Sequence, residues 1–135
     1  MTHEDLKNVR RQRLRVISLQ ERIDRLRSRA EYTAQQLGER GQDDATRDRL
    51  AEYVGELDDL EQHLTQETIT LEHAVQAVDQ GLEALPENQE KVLRLRYCEG
   101  LVWRLVSIRA GYCMSHCKDL NTKFIKDQTQ PDVFL

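Results

Sequence analysis

The chain has 135 residues, a third of them charged and a twentieth aromatic, with six glycines and two prolines. That balance excludes a sheet-rich globule and favours long, solvated helices around one modest core. No apolar run approaches the roughly 18–20 residues that cross a bilayer, so no membrane role is expected, and the net charge of −4 hides an uneven distribution.

Residues 1–37 carry nine basic and five acidic side chains, residues 38–85 three and thirteen, and residues 86–135 eight and six. A basic block followed by an acidic one suits two helices that pair with each other. Met1-Thr-His-Glu-Asp lacks the basic-then-apolar layout of a signal peptide. Three cysteines, an odd count, fit reduced thiols better than a disulfide framework, so the expected location is cytoplasmic.

In the first segment Val9, Val16, Ile23, Ala30 and Leu37 recur at sevens, with Leu19 and Leu26 three residues after Val16 and Ile23. This stripe of period 3.5 is a coiled-coil seam, which Leu6 and Leu14 widen. Thr2 and Asp5 approximate a capping box, so a helix is expected from Thr2 to Leu37. The run Gly38 to Asp44, with two glycines and a polar cluster, is expected to open a loop of about ten residues.

The stripe resumes with Leu50, Leu57, Leu64, Leu71, Val78 and Leu85, also at sevens. A second row offset by four, Val54, Glu61, Thr68, Val75 and Leu82, would complete the seam and place two polar residues in it. The spacing predicts a second helix over 48–84, returning antiparallel to the first as a hairpin. Arg10, Arg11, Arg13 and Arg15 are a candidate nucleic-acid contact, but pairing with Glu52, Glu56 and Asp59 is the expected use. His63 and His73, ten residues apart on the acidic helix, are expected on its exposed surface.

Pro86 ends this element or opens the next. Short helical segments follow over 87–98, 101–110 and 114–126, with Gly100 and Gly111 at the junctions, and residues 127–135 have no period and form a tail. Three short helices with glycine junctions are a candidate helix-turn-helix. Counted from Trp103, Val106, Ser107, Ala110, Gly111, Cys117 and Leu120 fall where such a unit needs small, apolar or turn residues. Val92, Leu93, Leu95, Tyr97 and Trp103 supply the rest of a small core. The fold class is therefore all-α, a long hairpin over 1–84 followed by a helix-turn-helix domain over 85–126.

Leu85-Pro-Glu-Asn-Gln-Glu-Lys-Val-Leu-Arg-Leu-Arg-Tyr-Cys-Glu-Gly-Leu-Val-Trp-Arg, followed by Ala110-Gly-Tyr, resembles region four of bacterial sigma factors. That family reads L-P-x-x-x-x-x-V-L-x-L-R-Y, then E-G-L-S-W-x-x-I-A, then L-G-Y-S. With the long helices in front, the whole chain resembles phage-encoded transcriptional regulators of the RinA and ArpU type. The resemblance implies a phage- or prophage-encoded regulator that docks its second unit helix in the major groove of double-stranded DNA. Outward residues of that helix, Met114, Ser115, His116, Lys118, Asp119 and Thr122, would then face base edges. Arg104, Arg109, Tyr112 and Lys123 would hold phosphates. The chain departs from the family where Val102 and Cys113 replace capping serines, and where Leu105 and Ile108 replace polar surface residues.

Other readings use the same residues. Cys98, Cys113, His116 and Cys117 could form a Cys₃His metal set, but Cys117 is needed between the crossing helices and no Cys-x-x-Cys pair is present, so no metal or cofactor is expected. The sequence holds no nucleophile elbow, phosphate-cradling glycine loop or Glu-x-x-His pair, and no enzymatic activity is expected. The hairpin suits a homodimer or a contact with RNA polymerase. The alternatives to transcriptional regulation are a phage DNA-packaging recognition subunit and a module that binds RNA polymerase or a sigma factor without DNA.

Overall fold

The computed structural model describes residues 1–40 and 44–129, all-helical and without a strand among them. The helices are α1 (His3–Arg40), α2 (Asp44–Glu83), α3 (Glu87–Leu93), α4 (Trp103–Ala110) and α5 (Met114–Thr129), with a π-helical turn, Arg94–Cys98, continuing α3. None is long and apolar enough to cross a membrane among the described residues.

α1 starts on the expected capping box. Thr2 N–H donates to Asp5 Oδ2 at 2.8 Å, and Asp5 N–H donates to Thr2 Oγ1 at 3.1 Å. The helix continues through Gly38, which has open space around it, because one exposed glycine costs only about 1 kcal/mol. α2 begins at Asp44, whose carboxylate favours a helix start. The loop is therefore shorter than the ten residues expected, and its remainder, residues 41–43, lies outside the described residues. α5 likewise runs past Lys126 to Thr129, where Gln128 Nε2 donates to the Met1 carbonyl at 2.6 Å. The rest of the expected tail, residues 130–135, is outside the described residues.

The chain divides into two compact units, Arg15–Ile69 and Met1–Leu14 with the chain from Thr70 onward. In the first, α1 and α2 pack together. Ile23, Leu26 and Ala30 are buried and Val16, Leu19 and Leu37 half-buried along α1, with Thr33 as a buried polar member. On α2 the seven-spaced row Leu50, Leu57 and Leu64 is half-buried as expected. Its companion row is covered at Thr68, Val75 and Leu82 but not at its start, where Tyr53 and Leu60, offset by three, are half-buried and Val54 is 56% exposed. Glu61 is on the surface, where its carboxylate accepts from Arg27 at 3.0 Å. The pair is half-exposed and contributes little to stability.

The second unit buries Leu6 and Val9 of α1, Leu71, Val78 and Leu82 of α2, Val92 and Leu93 of α3, Tyr97 and Cys98 of the π-turn, and Phe124 of α5. Leu14 does not join them and is 38% exposed. Gly81 allows a close approach, since a Cβ there would lie 2.7 Å from Met1 Cβ. In the π-turn the Glu99 N–H reaches back five residues to the Arg94 carbonyl at 3.0 Å, a widening that often marks functional positions. It ends on Gly100, whose φ of +74° suits glycine and where a Cβ would meet Arg13 Cγ at 2.9 Å.

Candidate nucleic-acid interface

α4 and α5 are joined by residues 111–113, and this short connection rests on Gly111. Its φ of +78° ends α4 in the left-handed region, while its N–H donates to the Ser107 carbonyl at 3.0 Å. Ser107 Oγ crosses the turn and donates to the Tyr112 carbonyl at 2.6 Å. A core of Val92, Val106, Ala110 and Cys117 lies between the helices, packed by Leu95, Leu101, Trp103, Tyr112 and Leu120. Cys117 is completely buried. Two polar contacts brace α5 from behind: Gln89 Nε2 donates to the Leu120 carbonyl at 3.2 Å, and Tyr97 Oη donates to Asn121 Oδ1 at 2.6 Å.

With its inner face held, α5 leaves Met114, Ser115, His116, Lys118, Asp119, Thr122 and Lys123 exposed. Arg104 and Arg109 are exposed on α4. Thr122 Oγ1 donates within the helix to the Lys118 carbonyl at 2.9 Å. Tyr112 is half-buried in the turn, and its ring meets His116 edge to face at 5.2 Å. The residues marked as base-facing thus share one solvated helix, with those marked for phosphate on its flanks and on α4. Neither α4 nor α5 begins with a capping serine, and Val102 offers α4 no side-chain bond.

The three cysteines are free, with Cys98 and Cys117 buried and Cys113 exposed. Burial pushes the Cys98 thiol up, and burial followed by the neighbouring Cys113 does the same for Cys117. Both therefore stay protonated and behave as small apolar residues. Among the described residues no group of three or more His, Cys, Asp or Glu side chains is arranged to hold a metal ion. His63 is exposed, as expected, with its ring 3.2 Å from Glu67.

Arg10, Arg11 and Arg13 belong to one unit, and Arg15 belongs to the other with Glu52, Glu56 and Asp59. Arg11 pairs with Glu4 at 3.2 Å on its own helix, and Arg13 Nε donates to the Cys98 carbonyl at 2.6 Å. Arg10 and Arg11 instead line a hollow of about 380 Å³ with His3, Lys7, Arg96, Tyr97, Trp103, Asn121 and Ile125. Sequence spacing could not reveal this hollow, because its walls come from opposite ends of the chain. The only signal was the run of arginines after Lys7. Comparison with protein-family models, curated proteins and solved structures finds no match for this chain.

Proposed function

We propose that the chain is a DNA-binding regulator of transcription, of the phage or prophage kind suggested by its resemblance to sigma-factor region four and to regulators of the RinA and ArpU type. In this reading α4 and α5 are a helix-turn-helix, and α5 enters the major groove. Lys118, Asp119, Ser115, Met114, His116 and Thr122 read base edges, while Arg104, Arg109, Tyr112 and Lys123 hold phosphates. The observation that carries it is the fully buried Cys117 beneath an α5 face that is otherwise bare. α1 and α2 form an antiparallel hairpin that serves as a dimer seam or a contact for RNA polymerase, and no catalysis is assigned. A dimer would read two half-sites about one DNA turn apart.

One observation favours a second reading. Val102, Leu105 and Ile108 on and before α4 are 54%, 42% and 65% exposed, and an apolar face of this kind fits a protein contact such as polymerase or a sigma factor. Selection of duplexes from a random pool at low and high salt separates the two. The DNA reading expects enrichment of a defined sequence at the higher salt and general retention at the lower. Retention of no duplex at either salt leaves only the protein-contact reading.

A further inference from the structure

The basic hollow in the unit built from Met1–Leu14 and the chain from Thr70 is not used by the α5 surface just described. Among the described residues its lining includes four cationic side chains, Lys7, Arg10, Arg11 and Arg96, and no carboxylate. Glu4 pairs with Lys7 at 3.4 Å and with Arg11 at 3.2 Å. Among the described residues Arg10 and Arg96 pair with no acid. The Arg10 Nε is buried and has no hydrogen-bond partner among the described residues, an arrangement that native proteins rarely leave unmet. Arg96 is fixed on two sides, by donation to the Leu101 carbonyl at 3.0 Å and by stacking on Trp103 at 4.6 Å. Burial, and then the charge of Arg10, lower its pKa.

We propose that this hollow binds a phosphate group. Cations approach from both α1 and the π-turn, and a tetrahedral oxyanion carries enough acceptor oxygens to meet them together. The polar wall is already ordered. Tyr97 Oη gives its proton to Asn121 at 2.6 Å, so His3 Nε2, 3.1 Å from the same oxygen, is the donor to it. Asn121 keeps its amide N–H groups for a further acceptor. At about 380 Å³ the space is at the small end of ligand sites. The phosphate belongs either to a DNA backbone, which rests on the function proposed above, or to a small free phosphorylated molecule, which does not.

The test uses the full chain and inorganic phosphate. Thermal melts in phosphate and in chloride at equal ionic strength should show a higher melting temperature in phosphate. The His3 ring, followed by NMR, should titrate at higher pH when phosphate is present, since a bound anion favours imidazolium. Arg10→Met, which keeps the apolar stem, should abolish both effects, and Arg10→Lys should retain part of each. Equal melting temperatures with an unmoved His3 would overturn the proposal, and so would a phosphate effect that survives Arg10→Met. Duplex binding at several salt concentrations then identifies the source. A log–log salt slope reduced by about one in Arg10→Met assigns the phosphate to DNA, whereas an unchanged slope assigns it to a small free molecule. Absence of any duplex binding would sink the DNA reading and leave the phosphate titration fully interpretable.

Discussion

Val102 and Cys113 sit at the entrances to α4 and α5, and the backbone of Val102 already has the form a cap requires. Val102 has φ −68° and ψ 155°, and its carbonyl accepts from Val106 at 3.0 Å, as that of Cys113 does from Cys117 at 3.1 Å. Both side chains are exposed, so replacing either by serine loses little burial and adds an acceptor for an orphan N–H. Val102→Ser and Cys113→Ser should each stabilise the protein by about 1 kcal/mol, read as a higher melting temperature. Cys117 contrasts with them. It has no free surface, so Cys117→Leu overpacks the junction and should cost about 1–3 kcal/mol in a denaturant titration. On the opposite side of α5, Lys118→Ala should leave stability unchanged and weaken binding to a selected duplex more than to random sequence. Equal losses on both would make Lys118 a phosphate contact and not a reader of bases.

Among the elements, the two glycine junctions differ in a measurable way. Gly111 has a φ of +78° and open space where a Cβ would go, while Gly100 has a φ of +74° and Arg13 Cγ at 2.9 Å from that point. Gly111→Ala should therefore cost only the backbone penalty of about 1–2 kcal/mol. Gly100→Ala should cost more, because Arg13 must also move and its 2.6 Å bond to the Cys98 carbonyl is disturbed. Chemical denaturation of the two variants gives the order directly. Both glycines were legible, since the short segments on either side needed a break. So was the seam of α1, and so was the row of leucines at sevens on α2. The companion row was legible from Thr68 to Leu82 but not at Val54 and Glu61, because a heptad permits neighbours offset by three or by four. Tyr53 and Leu60 are covered while Val54 and Glu61 are bare, a choice made by the opposing helix and not by the spacing. The burial of Gln89 was illegible because its side chain bonds the Leu120 carbonyl, remote in sequence. Nothing in Arg94–Cys98 distinguishes a π-turn from an α-helix before the packing is known.

For the molecule as a whole, the division of charge was readable and its use only in part. Arg27 of the basic helix meets Glu61 of the acidic one as expected, while Arg10, Arg11 and Arg13 fall in the unit formed with the carboxyl-terminal half. His3 reports on that arrangement. Burial first, and then Lys7, lower its pKa from the ordinary 6.5, with Glu4 opposing. A histidine disfavoured as imidazolium in the folded state contributes stability that is complete above its unfolded pKa. That stability is lost as the pH falls from there through the lower folded value. Melting temperatures across this range should fall more steeply for the wild type than for His3→Gln. Coincident curves would show that His3 is as free as in the unfolded chain. The account as a whole depends on the bare face of α5 meeting DNA. The most direct test is the equilibrium affinity of the purified chain for a selected duplex and a scrambled one, followed as salt is raised. Both affinities should fall with salt while the selected duplex stays the tighter ligand throughout. Binding to neither duplex at any salt would contradict it.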